Sequence, residues 1–132
     1  MDVYEFRIDF IPTKRRPRFA RGRAYTDKRT TDEMKAIASA YQGKLYEGAV
    51  GLEIVTHAKL PSSTPKRITE RMNLFKPDID NTAKCVMDAL NGKAYADDSQ
   101  VTTLRAMKEP QTRIEQPYTE IKIWSKPWDT PK

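Results

Sequence analysis

Alternation of apolar and polar residues constrains the fold of this chain more than any other feature of its sequence. Side chains at successive positions of a strand point to opposite faces of a sheet, so an alternating stretch predicts a half-buried strand. Residues 3–10, 50–56 and 118–124 alternate in this way, and residues 101–107 also fit a strand. We therefore expect one mixed sheet of about four strands.

Two stretches with helical spacing separate these strands. Thr30 and Glu33 form a capping box, and the helix that follows is expected over 31–42. A second helix is expected over 79–91, where a glycine at 92 gives a stop signal. The apolar stripe of this second helix comprises Ile79, Ala83, Val86, Met87 and Leu90.

The order of these elements predicts the fold class. A weaker helical pattern from Ile68 to Phe75 predicts a short third helix. The chain has 132 residues and no linker-like stretch, so we expect a single α+β domain over 1–132 with its helices mainly on one face of the sheet. The proline-rich residues 125–132 are expected to form a loose tail.

Several classes of protein are disfavoured by the composition. The single cysteine, Cys85, cannot form an internal disulfide and suits a reducing cytoplasm, where it is expected to be buried. No apolar run approaches the roughly 18 residues that a membrane helix needs. The five glycines match no nucleotide-binding motif, so no nucleotide cofactor is expected. His57 ends a predicted strand and is interpreted as structural.

Positive charge is concentrated in residues 14–29. This segment carries +7, whereas the whole chain carries +6. Phe19 and Tyr25 lie between the basic residues, and such a pattern is typical of a segment that binds phosphates and stacks on bases. A solvated loop or a localisation signal would have the same composition. The basic residues are Lys14, Arg15, Arg16, Arg18, Arg21, Arg23, Lys28 and Arg29.

Four aspartates surround the second predicted helix of this basic chain. Asp78 and Asp80 flank the junction between loop and helix, and Asp97 and Asp98 precede the next strand. Taken singly, each fits a helix cap or a turn. Taken together they are the oxygen ligands that Mg²⁺ prefers, because neighbouring carboxylates need a cation to offset their repulsion. Lys84, one turn after Asp80, would then neutralise charge on a reacting phosphate.

The run "KPDIDNTAKCVMDALNGKAYADDSQV", residues 76–101, closely resembles the RusA family of Holliday junction resolvases. The shared features are D-x-D-N, a lysine four residues after the second aspartate, D-A-L-N-G and D-D-x-Q-V. The early "PTKRRPRFARGRAYTDKRT", residues 12–30, is similar to the basic stretch of that family. The same order of elements covers nearly the whole chain.

The resemblance implies a homodimeric, Mg²⁺-dependent crossover junction endodeoxyribonuclease, with Mn²⁺ as a possible substitute ion. Such an enzyme binds four-way DNA junctions and nicks two strands symmetrically in recombination and repair. It acts in the bacterial cytoplasm and is encoded by a bacterium or a phage. The catalytic residues implied are Asp78, Asp80, Asp98 and Lys84. The metal ligands implied are Asp78, Asp80 and Asp98, with Asp97 as a secondary contributor. The residues expected to bind DNA are Lys14, Arg15, Arg16, Arg18, Arg21, Arg23, Lys76 and Asn81.

One departure from the family pattern concerns the residues before Asp78. Lys76 and Pro77 stand where some members have an aromatic residue and an arginine that engage the junction, and Arg71, Phe75 and Lys76 are candidates to replace them. Two other functions remain open on the sequence. One is a fork or flap nuclease with the same metal site, and the other is a non-catalytic module that binds junctions or RNA.

Overall fold

The computed structural model describes residues 2–13, 18–20, 23–25 and 28–129. Within these residues the main sheet has four strands, in the order β1-β8-β4-β6. β4 and β6 are parallel, and β8 is antiparallel to both β1 and β4. The predicted mixed sheet is therefore confirmed. The elements are β1 (Val3–Ile8), β2 (Arg18–Ala20), β3 (Arg23–Tyr25), α1 (Lys28–Ala40), β4 (Val50–His57), β5 (Glu70–Arg71), α2 (Ile79–Ala89), a 3₁₀ turn η1 (Asp98–Gln100), β6 (Val101–Lys108), β7 (Gln111–Thr112) and β8 (Tyr118–Ser125).

In β4 and β8, the alternating apolar side chains form the buried face of the sheet. Val50, Leu52 and Ile54 are fully buried beneath the helices, and in β8 Ile121 and Ile123 join the same core. The opposite face of the sheet is charged, with ion pairs such as Lys122 to Glu5 at 3.3 Å. Both helices pack on the apolar face, so the expected α+β arrangement is confirmed. No helix in the described part of the chain is long and apolar enough to cross a membrane.

Helix α1 begins earlier than the capping box predicted. Because the helix starts at Lys28, Thr30 lies inside it and is buried, so its predicted role as N-cap is wrong. Glu33 has a different partner: its carboxylate accepts hydrogen bonds from the backbone N and Oγ1 of Thr13, at 3.3 and 2.9 Å. A tertiary contact thus uses the side chain that the local motif assigned to the helix end.

Helix α2 follows Pro77 as the sequence predicts. Asp78 is its N-cap residue and is extended, with φ −67° and ψ 149°, as expected for the residue that precedes the first helical position. Within the predicted apolar stripe, Ala83, Val86 and Leu90 are buried, but Ile79 is 40% exposed, so its assignment to the core is wrong. Ile79 occupies the first helical position, before the helix reaches the core.

The short helix expected over 68–75 does not form. Glu70 and Arg71 pair instead with Thr112 and Gln111 to make the two-stranded sheet β5-β7. The Arg71 Nε also donates to Gln111 Oε1 at 3.0 Å. The preceding loop is held by Arg113, whose guanidinium donates to three backbone carbonyls, those of Thr64, Pro65 and Ile68, at 3.2, 2.8 and 3.0 Å. Long-range bonds of this kind leave no trace in local spacing.

Two single residues also lie as expected. Cys85 is fully buried in the core. His57 stacks on Tyr118 with ring centroids 4.3 Å apart and lies 2.6 Å from Glu120 Oε1, which fits a structural role. The predicted loose tail is only partly described: Ser125 ends β8, Pro127 is buried, and residues 130–132 lie outside the described part.

Gly51 provides space for the largest buried side chain. Trp124 is 1% exposed and lies beside Gly51 across the β4-β8 pair, so a Cβ at position 51 would overlap the indole ring. Gly51→Ala is therefore expected to lower the free energy of unfolding by about 1–3 kcal/mol. Urea unfolding monitored by circular dichroism measures this change as a lower midpoint at an unchanged m value. The cost should shrink in a Trp124→Leu background, and an equal cost there would contradict the overlap.

Candidate active site

The predicted site residues lie along one face of α2 and on η1. Asp80, Lys84 and Asp88 are spaced four residues apart, so their side chains form a row along the helix. Asp80 and Lys84 are exposed at the start of this row. Asp88 and Asn91, near the end of the helix, lie next to Asp98 of η1. The structure thereby brings the acidic turn that follows α2 back against the end of the helix.

Asp98 lies at the acidic end of this row. The side chains of Asp88 and Asn91 lie close enough to Asp98 to influence the pKa of its carboxyl. Partial burial, followed by the charges of Asp97 and Asp88, raises the pKa of the Asp98 carboxyl above its usual value. The nearby Asn91 carboxamide acts in the opposite direction and lowers the pKa of Asp98, because an amide donor favours the carboxylate. Asp98 therefore lies where an added positive charge would stabilise its ionised form.

Asp97 has a different role in the turn. It is the N-cap of η1, and its Oδ2 accepts a hydrogen bond from the Ser99 backbone N at 3.3 Å. Hydrogen bonds from Ser99 hold the pKa of Asp97 below its usual value. The neighbouring carboxyls of Asp97 and Asp98 thus have pKa values shifted in opposite directions, because Asp97 accepts hydrogen bonds whereas Asp98 is partly buried and faces carboxylates. Asp97 as a metal ligand stays a prediction.

The link between α2 and η1 is fixed by buried hydrogen bonds. The Tyr95 ring is fully buried, and its hydroxyl donates to the carbonyl oxygen of Met87 at 2.7 Å. Burial, followed by the charges of Asp98, Asp88 and Asp97, raises the pKa of Tyr95, so the hydroxyl remains a donor at neutral pH. The backbone N of Gly92 donates to the Tyr95 carbonyl oxygen at 2.7 Å. These bonds position the acidic turn against the end of α2.

Asp78 and Asp80 form a second group at the helix start. Lys76 Nζ lies 2.9 Å from both carboxylate oxygens of Asp78, and Asp78 makes no side-chain capping bond to α2. Two helical turns separate Asp80 from Asp88, a rise of about 12 Å. The described residues contain no group of three or more His, Cys, Asp or Glu side chains that could hold a metal ion. The four-aspartate ligand set therefore stays a prediction.

The donor chemistry of both groups nevertheless fits a hard divalent cation. Every candidate ligand is a carboxylate or amide oxygen, and no histidine or cysteine lies among them. Burial and then the charges of Asp97 and Asp88 raise the pKa of Asp98, and a cation bound there would offset both effects. Asp78, Asp80 and Lys84 are exposed, and exposed side chains change rotamer on the picosecond to nanosecond scale.

The basic segment begins next to the acidic helix. The buried Thr82 hydroxyl donates to the Pro12 carbonyl oxygen at 2.8 Å, and Thr82 lies only two residues after Asp80. Thr13 is held by Glu33 of α1. Arg18 and Arg23 belong to β2 and β3, which pair antiparallel. Four of the predicted DNA-binding residues lie outside the described part of the chain: Lys14, Arg15, Arg16 and Arg21.

Some residues of this site are not assigned by the sequence. It indicates Asp88 only as a continuation of the Asp80 row or as a partner of Lys84, and it gives Asn91 and Thr82 no role. The predicted helix over 79–91 has Asp88 and Asn91 on the same side as Asp80. This shared side is the feature of the sequence that could have indicated them as site residues. Gln100 appears only as one letter of D-D-x-Q-V. Its bonds to the backbone of Ala96 and Asp97 belong to a capping box, which the spacing of Asp97 and Gln100 could indicate. Its bonds to Tyr46 and Gly48 connect residues far apart in the sequence, so no local pattern indicates those two.

The fold and the site together define a small α+β protein in which paired carboxylates lie beside the start of a strongly basic segment. The chain belongs to the RusA endodeoxyribonuclease family, since the family model described as "Endodeoxyribonuclease RusA" matches residues 9–124. It is also 34% identical over 91 residues to the uncharacterized protein YqaN of Bacillus subtilis (strain 168). That match covers 59% of this chain and 64% of the relative, so the chain spans less than two thirds of the relative's length.

Proposed function

We propose that this protein is a Mg²⁺-dependent endodeoxyribonuclease that resolves Holliday junctions by symmetric paired nicks, in the recombination and repair of DNA in the bacterial cytoplasm. The observation that carries the proposal is the family match over residues 9–124, which contains both acidic motifs. The contact of Asp98 with Asp88 and Asn91 supports it, because the fold brings the second acidic motif back to the helix that carries the first.

The residues that would hold Mg²⁺, or Mn²⁺ in its place, are Asp78, Asp80 and Asp98, with Asp97 as a secondary contributor. When bound, such an ion activates a water molecule and stabilises negative charge on the phosphate and the leaving oxygen. Lys84 presents an exposed ammonium group one turn from Asp80, where it would offset charge that develops on the phosphate. Lys76, now paired with Asp78, would transfer to a DNA phosphate.

The basic segment would supply most of the affinity for DNA. Acidic side chains repel a polyanion, so they need neighbouring cations to bring a phosphate within reach. The bond between Thr82 and Pro12 supports this arrangement because it attaches the residues just before the basic segment to the first turn of α2, the helix that carries Asp80. Asn81 is half-buried on the same first turn, and it would orient the acids or bind DNA.

The residues before Asp78 provide a candidate surface for the branch point. Phe75 is 55% exposed, and the Arg71 guanidinium lies 5.3 Å from the centroid of its ring. Lys108 Nζ donates to the Phe75 carbonyl oxygen at 2.6 Å, which restrains the segment against β6. An exposed aromatic ring can stack on an unpaired base, and the adjacent Arg71 and Lys76 can bind phosphates. These three residues would replace the aromatic and arginine pair found in some relatives.

Paired nicking requires two active sites, so the proposed enzyme is a homodimer. A four-way junction has approximate two-fold symmetry, and an isologous dimer presents two identical sites related by the same symmetry.

The test of this function is a Mg²⁺ titration of four-way junction cleavage by the wild-type protein and by Asp78→Asn. We expect the wild type to nick opposed strands and the variant to be at least about 100-fold slower, because the charge of a metal ligand is removed. Asp9→Asn is a matched control, since Arg7 pairs with Asp9 two residues later just as Lys76 pairs with Asp78. Equal rates for Asp78→Asn and the wild type would contradict the proposed ligand set.

Cleavage assays with the same protein distinguish two other functions from junction resolution. A fork or flap nuclease would cleave replication forks or flaps faster than four-way junctions, so the titration is repeated on junction, fork, flap and linear duplex. A non-catalytic binding module would cleave none of them, and Mg²⁺ would leave its thermal stability unchanged.

A further inference from the structure

Gln100 makes four side-chain hydrogen bonds at the acidic turn. We propose that Gln100 is a positioning residue that holds Asp98 in its catalytic place beside α2. This inference rests on the proposed nuclease function. In it, Gln100 neither binds the metal ion nor contacts DNA.

The first two bonds of Gln100 lie within the turn. Its Oε1 accepts from the backbone N of Ala96 at 2.9 Å and from that of Asp97 at 3.3 Å. Together with the bond from Ser99 N to Asp97, these contacts complete the capping box of η1. The acceptor side of the carboxamide therefore fixes the backbone immediately before Asp98.

The other two bonds attach the turn to a distant loop. Nε2 of Gln100 donates to the carbonyl oxygens of Tyr46 and Gly48, at 3.1 and 2.9 Å. Tyr46 is itself fixed, because its ring is buried in the core and its backbone N donates to the Ala94 carbonyl oxygen at 2.7 Å. The loop leads directly into the central strand β4 at Val50. Through Gln100, the turn is connected to the buried centre of the sheet.

The position of Asp98 depends on this connection. In the sequence, Asp98 lies between Gln100 and the two backbone donors that Gln100 binds, those of Ala96 and Asp97. Its side chain must reach Asp88 of α2 and Asn91, which follows the helix. A misplacement of about 1 Å in a reacting group can lower a rate by about 100-fold. The bond from Ser99 N to Asp97 does not involve Nε2 of Gln100, so removal of the two Nε2 bonds should shift the turn without unfolding it.

Glutamine suits this role because its carboxamide has two N–H donors and also an acceptor oxygen. Glutamate has the same shape and keeps the acceptor oxygen, but it cannot donate to the carbonyl oxygens of Tyr46 and Gly48. Gln100→Glu is therefore the sharpest variant. Gln42→Glu is its matched control, since Gln42 is exposed and its Nε2 donates to a carbonyl oxygen as well, that of Ser39 at 2.8 Å.

The experiment measures three quantities on the full chain: the single-turnover rate of junction cleavage in Mg²⁺, the junction Kd in Ca²⁺, and hydrogen exchange at the backbone amides of residues 96–98. For Gln100→Glu we expect a rate about 100-fold lower, a Kd within about twofold of the wild type, and faster amide exchange in the turn. Gln42→Glu should match the wild type in all three. If Gln100→Glu does not fold, Gln100→Met, which keeps the length of the side chain, is measured with the same expectations.

Three outcomes would overturn the inference: a wild-type rate in the Gln100 variant, a rate and affinity that fall together, or a lower rate with unchanged amide exchange. Failure of the proposed function is distinguishable from these outcomes. If the proposed function is wrong, the wild-type protein itself would cleave no junction in Mg²⁺. The inference about Gln100 would then fail together with the proposed function.

Discussion

Asp80→Asn is expected to abolish junction cleavage in Mg²⁺ while the protein still binds the junction. The substitution keeps the shape of the side chain and removes its charge, and the charge is what a hard divalent cation requires. We expect the cleavage rate to fall by about 1000-fold, which corresponds to about 4 kcal/mol less transition-state stabilisation. Folding should hardly change, because Asp80 is exposed in the first turn of α2 and contributes less than about 1 kcal/mol through the helix dipole.

Two measurements separate an effect on chemistry from an effect on binding. Cleavage is followed at saturating protein under single-turnover conditions, and binding is measured by fluorescence anisotropy with Ca²⁺ in place of Mg²⁺. A further readout is the rise in thermal stability that Mg²⁺ causes in the wild type, which should be smaller in Asp80→Asn. Asp32→Asn is the matched control, since Asp32 is an exposed aspartate near the start of α1. Nicking by Asp80→Asn at the wild-type rate would remove the basis for the mechanism.

The strands of this fold could be predicted from local pattern because burial in a sheet has a period of two residues. In β1 the side chains of Tyr4 and Phe6 are half-buried and that of Ile8 is buried, whereas the residues between them are exposed, as the alternation indicates. The elements that the sequence misassigns depend on contacts between distant segments. Residues 68–75 have a helical spacing, but the strand pair with Thr112 and the carbonyls bound by Arg113 determine their conformation.

In the candidate site, too, local features could be predicted from the sequence and long-range contacts could not. Asp78, Asp80 and Lys84 could be assigned from the sequence because helix geometry and the D-x-D-N motif define their surroundings. The closeness of Asp98 to Asp88 and Asn91 depends on how the chain returns after α2, and this path is set by the buried Tyr95. The bond from Thr82 to Pro12 joins residues 70 positions apart. Such contacts arise only from the tertiary fold, so a motif indicates which residues matter without showing how they meet.

Neutralising Arg15, Arg16 and Arg18 together is expected to weaken junction binding and to flatten its dependence on salt. Each bound phosphate releases condensed counterions, so the slope of log K against log salt should fall by roughly one unit for each phosphate that is no longer neutralised. The affinity should therefore change far more at low salt than at high salt. The slope is measured by anisotropy on a labelled four-way junction between about 50 and 200 mM salt, the range over which phosphate binding shows a large effect.

The matched control removes the same charge from the face of the sheet that is not covered by the helices. Arg7, Arg105 and Lys122 project away from the helices and pair with Asp9, Glu53 and Glu5. Their neutralisation alters net charge equally but should leave the slope nearly unchanged, since these residues lie on the face of the sheet opposite to α2, the helix that carries Asp80. If both triple variants flatten the slope alike, DNA responds to net charge alone. If only the control does so, the DNA-binding surface lies on the open face of the sheet, and the basic segment is not the arm that brings a phosphate to Asp80.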